Sequence, residues 1–119
     1  MQQDSFPEFI EFVYTPTFER SAERILTERD LETLERQLVR NPRAGSVERG
    51  LGGVRKIRVR RAGLGKSRGA RVLYYFNEAK AQVYFLLAYS KSAQPVLNEQ
   101  QRKIVLTLIA GLEGGHEVD

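Results

Sequence analysis

The chain has 119 residues and a formal net charge of +4, and we expect residues 1–119 to form a single basic domain with a core of its own. It has no cysteine and one histidine, His116, which excludes disulfides and thiolate chemistry and argues against a histidine-based metal site or nucleophilic triad. The acidic N-terminal residues lack the apolar run of a signal peptide, and no segment approaches the roughly 20 apolar residues that span a bilayer, so the sequence favours a cytoplasmic protein without membrane contact.

The first third of the chain predicts a strand followed by two short helices. Residues 9–14 form a β-prone run. Thr15 is placed as an N-cap with Pro16 at the first helical position, and a second helix opens near Thr27 and ends at Asn41. The apolar residues of both helices recur at helical spacing: Phe18, Ala22, Ile25 and Leu26 in the first, and Leu31, Leu34, Leu38 and Val39 in the second.

Three strands and a final helix are predicted in the rest of the chain. The strands cover residues 54–61, 71–77 and 82–90, and Asn98 caps the helix. One side of that helix carries an apolar stripe, made of Ile104, Val105, Leu108, Ile109 and Leu112. The order β-α-α-β-β-β-α with short loops predicts an α+β fold, in which a helical hairpin and a C-terminal helix pack on an antiparallel sheet. We expect roughly eight N-terminal and six C-terminal residues to be frayed.

Charge is distributed very unevenly along the chain. The formal charge is −5 over residues 1–39, +11 over residues 40–91 and −2 over residues 92–119. A basic block inside an otherwise acidic chain is typical of a protein that binds a polyanion. A solvated strand-and-loop region is the alternative interpretation.

The basic block coincides with a predicted strand in which cationic and apolar residues alternate. Lys56, Arg58 and Arg60 share one face of this strand, and Arg71 opens the next strand after a Gly-rich cationic loop over residues 62–69. Strands lie roughly 4.8 Å apart, so these side chains are able to converge on one phosphate group. The pattern predicts a groove whose affinity for nucleic acid falls with salt.

Such a groove is compatible with RNA cleavage. RNA carries its own nucleophile, the 2′-hydroxyl, so the reaction needs cations at the phosphate, a proton acceptor and a proton donor, but no metal or other cofactor. Lysine or tyrosine is able to transfer protons where neighbouring charges shift its pKa. Most strand tyrosines are expected in the core; Tyr89, just before a loop that contains Lys91, is the stronger functional candidate. Binding without cleavage explains the same composition.

Four segments together resemble the core of RelE/HigB-type toxins. They are NPRAG at residues 41–45, GLGGVRKIR at residues 50–58, GKSRGARVLYY at residues 65–75 and YFLLAYSK at residues 84–91. The resemblance extends over residues 9–112. It implies the microbial-ribonuclease-like fold, with helices on one side of a twisted antiparallel sheet. It also implies a cognate antitoxin partner and cleavage of mRNA in the ribosomal A site.

The resemblance also carries site residues. Lys56 and Arg58 match the basic pair on the second strand, and Arg71 matches the arginine that opens the third; these would grip the scissile phosphate. Lys56 or Lys66 would transfer a proton, and Lys91 matches the basic residue after the fourth strand. The tyrosine or histidines that some members use have no counterpart here, which leaves Tyr89 and the lysines as substitutes. Further RNA contacts are expected from Arg55, Arg60, Arg61 and Arg68.

Two other functions remain open at this point. ParE-like relatives share the fold and poison DNA gyrase without cutting RNA, and a plain nucleic-acid-binding module would need the same groove but no defined geometry. The dense lysine and arginine on the central strands favours the ribonuclease. The groove is also expected to dock an acidic segment of the antitoxin.

Overall fold

The structure is a computed structural model that describes residues 10–60, 69–91, 94 and 96–113. Its elements are β1 (Glu11–Tyr14), α1 (Pro16–Ala22), α2 (Glu28–Arg40), β2 (Ser46–Val47), β3 (Arg55–Val59), β4 (Ala70–Asn77), β5 (Gln82–Ser90) and α3 (Glu99–Glu113), with a 3₁₀ turn at Glu78–Lys80. The α+β class is as predicted. The short β2 was not foreseen.

The strands form one sheet in the order β1-β5-β4-β3-β2. β3, β4 and β5 form the predicted antiparallel meander. β1 instead pairs with β5 in parallel, so the expectation of a wholly antiparallel sheet is wrong at this edge. The reason is the connection: two helices separate β1 from the later strands, and a crossover of that length brings a strand back in either direction.

The predicted helix starts are correct because their caps are local. The Thr15 hydroxyl accepts a hydrogen bond from the Phe18 amide at 3.1 Å. Thr27 forms a capping box with Asp30, with bonds of 3.1 and 2.9 Å in the two directions. Each such cap contributes about 1 kcal/mol to helix stability. α1 nevertheless ends at Ala22, one turn earlier than the apolar spacing indicates.

The helices pack on both faces of the sheet. On the face here called the hairpin face, α1 and α2 bury Phe18, Leu34 and Leu38 against strand residues such as Val72 and Phe85. On the opposite face, here called the α3 face, Val105 and Ile109 pack against residues that include Leu73 and Leu86. The expectation that the helices lie on one side of the sheet is therefore wrong. β4 and β5 carry apolar side chains on both faces, and each face must be covered by helices to be buried.

Two residues of the predicted apolar stripes are exposed. Val39 of α2 is 44% exposed and Ile104 of α3 is 37% exposed. Among the described helices, none combines the length and apolar character needed to cross a bilayer.

Candidate functional site

The sheet register aligns three candidate residues in one row. Arg58 of β3 is the cross-strand partner of Arg71 of β4, and Arg71 is in turn the partner of Tyr89 of β5. Directly opposite residues have Cα atoms about 4.5–5.5 Å apart and point to the same side of the sheet. The row lies on the α3 face, next to the apolar cluster that α3 covers. Arg58 is exposed, Arg71 is half-buried and Tyr89 is buried, so the row is open to a ligand at its two arginines.

A carboxylate joins this row through Lys56. Glu48 follows β2, and its amide donates to the Val54 carbonyl at 2.8 Å, which sets its side chain on the α3 face. The Lys56 Nζ lies 3.3 Å from the Glu48 Oε1. Glu48 is not among the site residues predicted from the sequence. The available signal was its isolation, because it is the only acidic residue between Glu35 and Glu78.

Tyr89 places a buried hydroxyl beside these charges. Its side chain is 3% exposed, and its hydroxyl has no hydrogen-bond partner among the described residues. Burial raises the pKa of Tyr89, the Glu48 carboxylate raises it further and the Arg71 guanidinium opposes the rise. The phenol therefore stays protonated at neutral pH, and its hydroxyl is available to donate a hydrogen bond to a bound ligand.

Two further cationic candidates directly follow strands that form the row. Arg60 follows β3 and is exposed, and Lys91 follows β5 and is exposed, with its amide donating to the Gly69 carbonyl at 3.1 Å. Lys66, Arg61 and Arg68 lie outside the described residues.

Arg55 lies on the other face and has a structural environment. Its guanidinium donates to the carbonyls of Arg43 at 3.2 Å and Gly45 at 2.6 Å. The structure thus does not bring Arg55 to the row of Arg58 and Arg71, in keeping with the alternation of β3. Its predicted contact with RNA is not supported by this position.

Tyr74 fixes the loop that leads to Glu48. Tyr74 is fully buried on the hairpin face, as expected for most strand tyrosines. Its hydroxyl donates to the Pro42 carbonyl at 2.8 Å and accepts from the Gly45 amide at 2.9 Å. A Cβ on Gly45 would come within 2.8 Å of the Lys56 carbonyl oxygen and 2.9 Å of the Tyr74 ring. Glycine therefore lets this segment approach β3 closely enough to form β2.

α3 holds the other side of the same loop. Leu51 and Val54 are fully buried in the cluster that contains Ile109. The Arg102 guanidinium donates to the Arg49 carbonyl at 2.8 Å. Glu48 is consequently positioned by two elements that are distant in sequence, the Tyr74 side chain and α3.

The assembled site has a definite chemical character. It combines two neighbouring guanidinium groups and an ammonium–carboxylate pair on one face of the sheet, with a neutral phenol buried beside them. Guanidinium groups match phosphate oxygens, a carboxylate accepts protons, and ammonium and phenol groups donate them. This is the equipment for binding a phosphodiester and moving a proton at it.

The fold and this surface define a small α+β protein with a cationic site on its sheet, and comparison with known proteins identifies its family. The sequence profile described as the RelE toxin of the RelE/RelB toxin-antitoxin system matches residues 12–114. The chain therefore belongs to the RelE toxin family, and it is a type II toxin of a toxin–antitoxin system.

Solved structures agree on the fold. A mutant of the Escherichia coli toxin RelE in the free state superposes with a TM-score of 0.54 at 19% identity, over 85% of this chain and 98% of that chain. A chain of the toxin–antitoxin complex RelBE2 from Mycobacterium tuberculosis superposes with a TM-score of 0.51 at 22% identity, over 73% of this chain and 97% of that chain.

Proposed function

We propose that this toxin is a metal-independent endoribonuclease that cuts mRNA on the ribosome in the cytoplasm and is neutralised by a cognate antitoxin. The observation that carries the proposal is the row of Arg58, Arg71 and Tyr89 beside the Glu48–Lys56 pair. Membership in a family of toxins from toxin–antitoxin systems supports the antitoxin partner. The mRNA and ribosome are inferred from the chemistry of the surface and from the family resemblance.

The cations act on the scissile phosphodiester. Arg58 and Arg71 bind its non-bridging oxygens and stabilise the charge that develops as the 2′-oxygen attacks phosphorus. The new bond joins the 2′-oxygen to phosphorus and the bond to the 5′-oxygen breaks, which yields a 2′,3′-cyclic phosphate and a free 5′-hydroxyl. Holding the 2′-oxygen in line with the leaving oxygen is the main task of the site.

Glu48 is our candidate for the proton acceptor. Its carboxylate lies on the same face of the sheet as Arg58 and Arg71, and the ion pair with Lys56 orients it. The proton lost by the 2′-hydroxyl goes to this carboxylate, and an ammonium group, Lys56 or Lys91, returns a proton to the departing 5′-oxygen. The raised pKa of Tyr89 argues against its use as the base. It suits Tyr89 to donate a hydrogen bond to a phosphate oxygen instead.

The test is induced expression in a bacterium with mapping of 5′ ends on a reporter mRNA. We expect new ends inside translated codons for the wild type, none for Arg71→Ala, and none when translation is blocked. Arg36→Ala, which removes an exposed arginine of α2 outside the site, is the matched control and should cut like the wild type. Growth arrest with intact mRNA would overturn the proposal and favour gyrase as the target.

A further inference from the structure

A cationic cleft lies next to the site, at the sheet edge formed by the end of β3 and on the side of the sheet that α2 covers. It has a volume of about 410 Å³ and is enclosed by one side of α2 and the end of β3. Leu34 and Val59 form its apolar floor. Polar and cationic side chains line it: Arg29, Thr33, Gln37, Arg58 and Arg60.

The shape of the cleft follows from the helix period and from the shortness of β2. Arg29, Thr33 and Gln37 are four residues apart, so they form one stripe along α2, and all three are exposed. β2 pairs only with Arg55 and Lys56. No described strand covers β3 beyond that point on this side, which leaves the cleft open along the sheet edge.

The charge in the cleft suits a phosphate. Three of its residues are arginines, and none of these forms an ion pair within the described part of the chain. The one acidic residue, Asp30, is buried, and its carboxylate accepts the Thr27 amide at 2.9 Å as part of the helix cap. The cleft therefore carries three positive charges and one carboxylate that is already hydrogen-bonded, so it attracts anions. Arginine is suited to phosphate because its guanidinium donates two hydrogen bonds to phosphate oxygens at once.

Arg58 connects this cleft to the site. It lines the cleft and is also the cross-strand partner of Arg71. Because Arg58 is shared, a phosphate bound in the cleft would be adjacent to a scissile phosphate held between these two arginines. Thr33 and Gln37 offer hydrogen bonds to the sugar hydroxyls and base edges that a single strand exposes.

We propose that the cleft between α2 and the end of β3 is a second subsite for the RNA backbone. Arg29 and Arg60 bind a phosphate beyond the one that is cut. The inference rests on the proposed function and extends it, because it assigns α2 to RNA binding. The shared ligand chemistry is an RNA phosphate, which belongs either to the mRNA strand or to ribosomal RNA.

Binding measurements with two matched variants test the cleft. Arg29→Gln and Arg36→Gln each remove one exposed charge from α2, but Arg36 lines a different groove, beside Phe12. In the first arm, the probe is a short fluorescent oligouridylate titrated at several salt concentrations. If the cleft binds mRNA, Arg29→Gln weakens oligouridylate binding several-fold. It also lowers the slope of log affinity against log salt concentration by about 0.7, the value for one phosphate contact on a single strand. Arg36→Gln should change the affinity and the slope only as far as the loss of one charge from the whole protein does.

The second arm uses co-sedimentation with ribosomes that carry no mRNA. If the cleft binds ribosomal RNA, Arg29→Gln loses affinity here and keeps the affinity for oligouridylate. Whether the cleft binds mRNA or ribosomal RNA, Arg29→Gln should need a higher toxin concentration for half-maximal cleavage on programmed ribosomes. Its cleavage rate at saturating toxin should be unchanged. Binding that is equal for the two variants in both arms overturns the proposal, as does a selective loss of antitoxin affinity, which would make the cleft a site for an acidic peptide.

These arms separate the subsite from the nuclease. Both measure binding and neither requires cleavage. An effect of Arg29→Gln on binding with no cleavage by the wild type would reject the proposed function and retain the subsite. Cleavage by the wild type with no selective effect of Arg29→Gln would reject the subsite and retain the nuclease.

Discussion

Arg58 and Arg71 face each other directly across β3 and β4, and neither has an ion-pair partner within the ranges that the structure describes. Like charges in directly opposite positions destabilise a sheet by roughly 0.2–1 kcal/mol. The pair therefore opposes folding in the absence of an anion. A phosphate between the two guanidinium groups removes the repulsion, so the same geometry that weakens the free protein favours the bound state.

We predict that Arg71→Gln raises the free energy of unfolding by a few tenths of a kcal/mol at low salt while it abolishes cleavage. Urea unfolding measures the stability, and the gain should shrink at high salt because ions screen the repulsion. The control is Arg43→Gln, since Arg43 is paired with Glu78 and its loss should not stabilise the protein. A larger loss of stability for Arg71→Gln than for Arg43→Gln would contradict the repulsion between Arg58 and Arg71.

Tyr89 and Tyr74 predict opposite effects of the same substitution. Removing the unpartnered Tyr89 hydroxyl relieves a buried unsatisfied group, so Tyr89→Phe should raise stability by about 1 kcal/mol and reduce cleavage. The Tyr74 hydroxyl has two partners, Pro42 and Gly45, so Tyr74→Phe should cost about 1–3 kcal/mol. Thermal or urea unfolding of both variants checks the contrast. Equal destabilisation by the two substitutions would show that Tyr89 has a partner in solution.

Glu48→Gln tests the proton acceptor. The amide keeps the shape of the side chain but cannot take up the proton, so we predict that the cleavage rate on programmed ribosomes falls about 10²–10⁴-fold. Stability should change by less than about 1 kcal/mol, because the pair with Lys56 is partly solvated. Glu78→Gln, which removes a carboxylate from the surface pair with Arg43, should leave the rate unaltered. A Glu48→Gln toxin that cuts at the wild-type rate would exclude Glu48 as the base.

The raised pKa of three tyrosines predicts that the free energy of unfolding decreases at alkaline pH. Burial is the largest cause of the raised pKa of Tyr14, Tyr74 and Tyr89. Below the ordinary tyrosine pKa of about 10, both states are protonated and stability is complete. Above it, the unfolded chain releases protons that the folded chain retains, so stability falls by at most about 1.4 kcal/mol per pH unit for each tyrosine.

The measurement is urea unfolding between pH 8 and 11, compared for the wild type and Tyr14→Phe. The variant lacks one of the three groups and should show a shallower decline. Tyr14 donates to Glu35, so its removal also changes stability at neutral pH, but the slope is the diagnostic quantity. Identical slopes would mean that Tyr14 ionises as readily in the folded state as in the unfolded state.

Much of the fold was readable from local sequence. The caps at Thr15 and Thr27 act within three residues, and the period-two pattern of β3 separates Lys56 and Arg58 from Ile57. These features depend on neighbours along the chain, and all of them are found in the structure. The α+β class follows from their order.

The register across strands was not readable in the same way. Strand periodicity says which side of its own strand a residue occupies, but not which residue of the next strand lies opposite. The direct pairing of Arg58 with Arg71 depends on the length of the connection between β3 and β4. The pairing of Arg71 with Tyr89 also depends on an irregularity in the β4–β5 register between Leu73 and Tyr74.

By itself the sequence determined the composition of the site: a cationic strand, an arginine at the start of the next strand, and an environment without cysteine and with little histidine. Only the tertiary structure decided which charges belong to it. It brought Glu48 beside Lys56 from a loop held by Tyr74 and α3, aligned Arg58 with Arg71, and opened a cleft beside Arg58. The physical reason is that periodicity and capping act over a few residues, whereas an electrostatic site is formed by groups that packing brings together from distant parts of the chain.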